Sequence, residues 1–182
     1  MDARIIRTRR DLSNALIQLL ETTDYDEIKV IDICKKAMIS KVTFYNNFKN
    51  KSELLNHILL EFEEKIKNDI EKVAPAFQNQ KDMILGIVRI AYKNVLKNKV
   101  IFGKILSNHQ TSSVIIELRN FICQEIIKHG DLLISDDKSS VPKEYFAAFY
   151  SGAITSILPM VLNQTDGDDN ALDENSLVAL FS

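Results

Sequence analysis

The sequence predicts an all-α protein with a small helical head at its N-terminus, a long connecting helix and a helical body. Apolar residues recur at helical spacing along most of the chain, and no segment shows the alternation of a half-buried strand. The 182 residues include only five Gly and three Pro, which favours long helices over short strands joined by turns. Apolar residues make up 46% of the chain and charged residues 26%, as in globular rather than disordered proteins.

Three short helices are predicted in the head. Leucines on one helical face predict the first, over about residues 8–22. The second starts near Val30, and a three-residue turn (38–40) separates it from the third, over residues 41–48, for which Ser40 is a suitable N-cap. A long fourth helix then keeps apolar spacing for about five turns and ends at Pro75, with Ser52 as the candidate cap at its start.

Five further helices are predicted in the body, over about residues 80–97, 99–107, 112–129, 142–162 and 172–181. Gly130 is placed as a C-terminal cap, Pro142 suits a first helical turn, and Pro159 is expected to kink or tighten its helix. Polar loops are expected at 131–140 and 165–170. The predicted domains are residues 1–53 and 54–182.

Charge is distributed unevenly between these domains. Residues 1–52 hold ten Lys or Arg and seven Asp or Glu, a balance of +3, whereas the remainder holds thirteen against eighteen, a balance of −5. A basic head on an acidic body indicates a polyanionic partner for the head, although a chance fluctuation of surface charge is an equal alternative.

Residues 30–48 have the organisation of a helix-turn-helix, in which the second helix lies in the major groove of DNA. Phe44 and Phe48 are expected to anchor that helix to the head. Lysine, threonine and tyrosine side chains can bind phosphates, and asparagine can pair with adenine edges. The side chains expected to face outward are those of Lys41, Thr43, Tyr45, Asn46 and Asn47.

The segment IKVIDICKKAMISKVTFYNNFKNKSELL resembles the DNA-binding head of the tetracycline-repressor (TetR) family. Eleven residues agree with the family pattern without a gap, and the resemblance covers about the first 55 residues. The all-helical remainder suits the second domain of that family. The matching residues are Val30, Ile33, Cys34, Ala37, Ile39, Ser40, Thr43, Tyr45, Phe48, Lys51 and Leu54.

The resemblance implies roles for individual residues of the head. Thr43 and Tyr45 match positions that hold phosphates, and Lys51 matches a lysine that opens the connecting helix and contacts the DNA backbone. Positions that vary between members and contact bases correspond to Lys41, Val42, Asn46 and Asn47. The basic residues Arg4, Arg7, Arg9 and Arg10 correspond to a variable arm that sometimes enters the minor groove, with a frayed, solvated terminus as the equal alternative.

Two residues depart from the family pattern. Lys29 stands where a threonine usually caps the second helix, so the cap hydroxyl is absent at a typical cost of ~1 kcal/mol, although a lysine there could reach a phosphate. Met38 replaces the usual glycine of the turn. If Met38 keeps a left-handed backbone, it costs on the order of 1 kcal/mol, and the turn is otherwise expected to be tighter or differently shaped.

No catalytic, metal or cofactor site is predicted. His57, His109 and His129 share no ligand spacing with each other or with the two cysteines, and they are interpreted as helix-surface or C-cap residues. Neither a phosphate-binding glycine loop nor a nucleophile elbow occurs. Cys34 and Cys123 are interpreted as reduced thiols. With no signal-peptide pattern and no apolar run approaching a membrane span, the protein is expected in the cytoplasm.

Two sets of body residues are candidates for function. Small residues at helical spacing would let another helix approach closely at Ala148, Ser151, Gly152 and Thr155. The resemblance implies that this face, together with the helix at 172–181, forms a two-fold dimer contact; close packing inside one subunit is the alternative. The resemblance implies a ligand pocket somewhere between the helices, although for any single residue the sequence favours a place in the core. The candidate ligand set is Met83, Ile87, Tyr92, Phe102, His109, Phe121, Tyr145 and Phe149.

The sequence therefore predicts a homodimeric regulator that binds a palindromic operator in double-stranded DNA. The resemblance implies a repressor released by a small molecule, whose binding in the body shifts the long helix and changes the separation of two recognition helices. Only one separation, about 34–36 Å, matches adjacent major grooves. The alternative is a TetR-fold adaptor or co-activator that acts through protein contacts without an inducer.

Overall fold

A computed structural model describes residues 2–106, 111–130, 142–163, 176 and 179–180. Within these residues the secondary structure is helical and contains no strand, which confirms the predicted all-α fold. The predicted helix at 172–181 lies mostly outside the described residues, and the expected loops at 131–140 and 165–170 lie wholly outside them. The helices are α1 (Ala3–Leu20), α2 (Val30–Ala37), α3 (Lys41–Tyr45), α4 (Lys51–Val73), α5 (Gln80–Lys97), α6 (Lys99–Leu106), α7 (Thr111–Gly130) and α8 (Lys143–Leu162), with a 3-10 turn at Ala74–Ala76.

The chain forms two compact units, Met1–Phe62 and Glu63–Ser182. We call the first the head and the second the body. Helix α4 begins in the head and ends in the body, so that each unit contains part of it.

Helix α1 begins at Ala3, about five residues earlier than its apolar pattern indicates. Asp2 supplies the reason, because its carboxylate accepts a hydrogen bond from the backbone N–H of Arg4 at 2.9 Å and caps the first turn. The basic segment is therefore helical from residue 3. Within it, the guanidinium groups of Arg7 and Arg10 each lie 3.8 Å from the Asp11 carboxylate.

Leucines from α1 and aromatic rings from the segment after the turn form the head core. Phe44 and Phe48 are 0% and 3% exposed, which confirms that they anchor α3. Their ring centroids lie 6.1 Å apart. Helix α3 is shorter than predicted and ends at Tyr45, after which Asn46 and Asn47 form a turn. The other fully buried head side chains are Leu12, Leu16, Leu20, Ile33, Leu54, Leu55 and Ile58.

The start of α4 is capped by Asn50 instead of Ser52. The Asn50 side-chain oxygen accepts a hydrogen bond from the backbone N–H of Glu53 at 2.8 Å. The Glu53 carboxylate in turn accepts from the backbone N–H of Lys49. Ser52 takes a different role, since its hydroxyl oxygen accepts from the Tyr25 hydroxyl at 3.4 Å. This contact ties the α1–α2 loop to the start of α4.

The body buries one apolar cluster between α4, α5, α7 and α8, which includes Ile66, Met83, Ile122 and Ile154. Contrary to the sequence-based expectation, α8 is long and apolar enough to cross a membrane by length and composition, with a mean hydropathy of 1.5. This is weak support for a membrane span, because packed helices of soluble proteins pass the same test. Both cysteines are free, as predicted.

Candidate DNA interface and body cavity

The turn between α2 and α3 keeps the left-handed geometry of a glycine although Met38 occupies it. Met38 has φ 55° and ψ 39°, and it is the one non-glycine residue with positive φ among the described residues. The backbone N–H of Ile39 donates to the Cys34 carbonyl at 2.9 Å, which closes the end of α2. The replacement of glycine by Met38 therefore leaves the turn shape unchanged and strains the backbone.

At the start of α2, one half of the usual reciprocal pair of capping hydrogen bonds is present. Lys29 has no side-chain acceptor, so the first turn lacks the usual hydroxyl cap. Asp32 compensates, because its carboxylate accepts a hydrogen bond from the backbone N–H of Lys29 at 3.0 Å. The Lys29 side chain is exposed beside this helix start.

Polar side chains on either side of α3 hydrogen-bond to Thr43 of the helix. The Ser40 hydroxyl oxygen accepts from the backbone N–H of Thr43 at 3.1 Å, and the two hydroxyl groups lie 2.9 Å apart. The Asn47 side-chain N–H donates to the Thr43 carbonyl at 2.8 Å. These bonds fix both ends of a helix that is only five residues long.

Four of the predicted DNA-binding side chains are exposed on α3 and at its end. They are Lys41, Val42, Tyr45 and Asn46, and Val42 and Tyr45 expose 71% and 56% of their surface. Thr43 and Asn47 are half-buried and bonded as described above. The structure thus places the exposed four on one short element of the head.

Lys51 lies at the start of α4 with its ammonium group turned into the head. Its Nζ donates to the carbonyl of Ile28 at 2.7 Å and to the carbonyl of Tyr25, and it lies 4.0 Å from the centroid of the Tyr25 ring. Burial lowers the pKa of Lys51, against a smaller opposing effect of Asp26. Two of its three N–H groups are thereby occupied within the head.

Arg9 contacts the residues that directly follow α3, a role that the sequence pattern did not indicate. Its guanidinium carbon lies 5.3 Å from the centroid of the Phe48 ring, and one terminal nitrogen donates to the Asn47 carbonyl at 3.5 Å. Its Nε is buried without a hydrogen-bond partner among the described residues. The only signal in the sequence was an arginine one helical turn before the buried Leu12.

The body contains an apolar cavity of about 20 Å³, room for roughly one water molecule. Of the candidate ligand set, Tyr92 lines it. Met83, Ile87 and Phe102 are buried elsewhere, Phe121 is half-buried, Tyr145 and Phe149 are exposed, and His109 lies outside the described residues. The complete lining is Ile66, Val88, Ala91, Tyr92, Val95, Leu118, Ile122, Ile154, Thr155, Ile157, Leu158 and Val161.

A buried acid–histidine pair lies near the end of α7, where sequence reasoning placed a surface or capping histidine. Glu125 and His129 are 5% and 4% exposed, and the Glu125 Oε2 lies 3.3 Å from the His129 Nε2. Neither ring nitrogen has a hydrogen-bond partner among the described residues. The spacing of four residues on one helix was the available signal. No group of three or more potential metal ligands occurs in the described part of the chain.

Helix α8 presents one face to the subunit interior and another to the surface. Ser151 and Thr155 are fully buried, and the Arg119 Nε donates to the Thr155 hydroxyl at 3.2 Å. Ala148 is exposed, and a Cβ added at Gly152 would meet no atom within 4 Å. We call the outward side of the helix the α8 face; it comprises Tyr145, Ala148, Phe149, Gly152, Ser156 and Met160.

A helical head that exposes the second helix of a helix-turn-helix, followed by a larger helical body, defines the class of helix-turn-helix regulators. Residues 12–58 match the sequence model of the bacterial regulatory proteins, tetR family. The head therefore carries a TetR-family DNA-binding region.

Two curated proteins are similar in sequence to this chain. YxbF of Bacillus subtilis (strain 168), an uncharacterized HTH-type transcriptional regulator, is 40% identical over 60 residues, which span 32% of this chain and only 16% of YxbF. DhaS of Lactococcus lactis subsp. lactis (strain IL1403), an HTH-type dhaKLM operon transcriptional activator, is 28% identical over 146 residues, 79% of this chain and 75% of DhaS.

Solved structures share the fold along most of the chain. A structure of the dihydroxyacetone kinase operon activator DhaS has a TM-score of 0.63 at 21% identity, covering 97% of this chain and 94% of that one. The structure of RolR with the ligand resorcinol has a TM-score of 0.65 at 16% identity, covering 98% and 87%. At these identities the likeness concerns the fold alone.

Proposed function

We propose that the protein is a homodimeric, sequence-specific DNA-binding regulator of transcription whose heads bind the two halves of a palindromic operator. The observation that carries the proposal is the exposed side of α3. The side chains of Lys41, Val42, Tyr45 and Asn46 make no hydrogen bond or ion pair among the described residues, while Phe44 and Phe48 hold the helix on the core.

The side chains of the interface have distinct roles in this proposal. Asn46 and Lys41 contact base edges, whereas the Tyr45 hydroxyl and the Thr43 hydroxyl contact phosphates. Lys29 at the start of α2 and the third N–H of Lys51 add contacts to the DNA backbone, and Asn47 keeps its side-chain oxygen for a base. Phosphate contacts position the head, and base contacts give it specificity.

The proposed dimer contact is the α8 face. Tyr145, Phe149 and Met160 expose 72%, 69% and 70% of their surface at positions that fall on one side of the helix. Ala148 and Gly152 between them leave room for a second helix to approach closely. A second copy of α8 is the partner that covers this face with two-fold symmetry.

The proposed effector response rests on the body cavity. Resorcinol is bound by RolR, and a small molecule bound in the body here would release or recruit DNA. At about 20 Å³, the cavity must open considerably, because pockets for small molecules measure roughly 300–1,000 Å³. The same small volume favours the second candidate, an adaptor or co-activator that responds to a protein contact without an inducer.

Two sources point to opposite directions of transcriptional regulation. The family resemblance implies a repressor, whereas DhaS is named an activator. The same resemblance implies that the protein acts in the cytoplasm. A promoter fused to a reporter gene, measured with and without this protein, distinguishes the two directions.

The experiment that tests the proposal is a mobility-shift assay on overlapping duplexes that cover the DNA flanking the gene of this protein. We expect one or a few duplexes to bind in excess competitor DNA. The double variant Lys41→Ala/Asn46→Ala is expected to lose this selectivity, while Leu60→Ala, an exposed residue of α4, keeps it. Equal, weak binding of every duplex by the wild type would contradict sequence-specific recognition.

A further inference from the structure

Two exposed apolar side chains lie on either side of the N-cap of α3, and packing accounts for neither. Met38 exposes 93% of its surface and Val42 exposes 71%. Because single apolar residues are common on protein surfaces, exposure alone does not indicate a function. Met38 also occupies a left-handed backbone position that a glycine fills at lower free energy. An exposed side chain at a strained position indicates a function outside the folding of the head.

Hydrogen-bonding capacity at the start of α3 is largely used internally. The hydroxyl groups of Ser40 and Thr43 bond to each other, and Ser40 also accepts from a backbone N–H. Besides the ammonium group of Lys41 and the remaining capacity of the Thr43 hydroxyl, the first turn of the helix offers a ligand the two methyl groups of Val42. Any discrimination by Val42 must come from apolar contact.

We propose that Met38 and Val42 recognise thymine by contact with its C5-methyl group, an inference that rests on the proposed binding of α3 in the major groove. The N-terminal residues of a recognition helix lie closest to the base edges, and Val42 is the second residue of α3. The thymine methyl is the apolar group that the major groove presents. The flexible thioether chain of Met38 adapts to a methyl group beside the helix start.

Asn46 lies one helical turn after Val42, and its backbone N–H donates to the Val42 carbonyl at 3.0 Å. Residues four apart share a helix face. Asn46 can pair with the N6 and N7 atoms of an adenine, while Val42 contacts a thymine methyl on a neighbouring base pair. The half-site is accordingly expected to contain adjacent A·T pairs.

The test replaces thymine by deoxyuridine, which removes only the C5-methyl group. A preferred duplex is first selected from a randomised pool with the full-length protein. Each thymine of that duplex is then replaced singly, and Kd is measured by fluorescence anisotropy. We expect a loss of about fourfold at each contacted thymine, the effect of burying one methyl group.

Variants assign the contacts. The fourfold loss is expected to disappear at one thymine in Val42→Ala and at another in Met38→Gly, and to persist in the control Leu60→Ala. Both altered side chains are exposed, and glycine suits the backbone at 38, so circular dichroism should show folded variants. If a folded variant instead loses affinity equally for the thymine duplex and the deoxyuridine duplex, its side chain does not act through the methyl group, and the assignment is wrong.

The outcomes separate this inference from the function on which it rests. If the selection yields no preferred duplex, sequence-specific DNA binding itself fails. If the wild type binds a preferred duplex and tolerates deoxyuridine at every position, DNA binding stands and methyl recognition is wrong. A loss that persists in both variants would show that other residues contact the methyl groups.

Discussion

Met38 carries a backbone strain that glycine would relieve. A non-glycine residue in the left-handed region costs roughly 1–2 kcal/mol, and part of the gain from glycine is lost to its greater freedom in the unfolded chain. Met38→Gly is therefore expected to raise the free energy of unfolding by roughly 0.5–1 kcal/mol, measured by urea denaturation. Met38→Ala is the control, because alanine keeps the strain. Equal stability of the two variants would contradict a strained turn.

Lys51 stabilises the head through two backbone carbonyl groups that its ammonium group satisfies. Lys51→Met keeps the apolar stem and leaves the carbonyls of Tyr25 and Ile28 without this donor. We expect a loss of about 1–3 kcal/mol, because the Ile28 carbonyl loses its donor in a part-buried site, whereas the Tyr25 carbonyl still accepts from the backbone N–H of Ile28 at 3.3 Å. The control is Lys49→Met, an exposed lysine two residues earlier, with an expected change within about 0.5 kcal/mol. Denaturation curves that coincide for both variants would show that the Lys51 bonds contribute nothing.

At the scale of elements, helix interiors were predictable from the sequence, and helix starts were less so. Apolar spacing located α5 and α7 to within a residue or two, because many side chains contribute to that signal. The starts of α1 and α4 depend on single polar side chains, Asp2 and Asn50. Because several nearby residues could serve as caps, the sequence pointed to Ser52 for α4 when Asn50 makes the bond.

The contact of α4 with α7 contains two acidic residues whose interaction depends on pH. Burial raises the pKa of Glu63, and the nearby carboxylate of Glu117 raises it further. A raised carboxyl pKa favours folding while the group is protonated, and this contribution is lost as pH rises from the unfolded value, about 4.3, through the folded one.

Glu63→Gln is accordingly expected to raise Tm at pH 7.5 and to leave it nearly unchanged close to pH 4. The control is Glu64→Gln, whose exposed carboxylate lies 3.6 Å from the Lys67 ammonium. The measurement is thermal denaturation of both variants and the wild type at the two pH values. A neutral-pH gain for Glu64→Gln equal to that for Glu63→Gln would refute the assigned cause.

For the whole molecule, the sequence could not determine which side of α8 is buried. The helix is apolar around most of its circumference, so its pattern gives no direction. Tyr145 and Phe149 were consequently assigned to a ligand pocket, and the structure places both at the surface. The small residues of the predicted dimer contact divide between the two sides: Ser151 and Thr155 face inward, and Ala148 and Gly152 lie on the α8 face.

Gly152→Leu tests the proposed dimer contact. The subunit has space for the side chain, since an added Cβ meets no atom within 4 Å. A closely packed symmetric interface would be overpacked by about 1–3 kcal/mol per site. We expect sedimentation to show a weakened dimer. Gly103→Leu is the matched control, because Gly103 on α6 has the same open surroundings. A Gly152→Leu dimer as stable as that of the control would exclude the α8 face.

The stoichiometry of the DNA complex tests the central claim most directly. The mass of the complex is measured by light scattering after the protein is mixed with its preferred palindromic duplex or with a single half-site. We predict two chains on the palindrome, with affinity for the half-site lower by a factor on the order of 10²–10⁴, because linked heads bind cooperatively. A complex of one chain per palindrome, with equal affinity for the half-site, would contradict a homodimer that binds DNA through two heads.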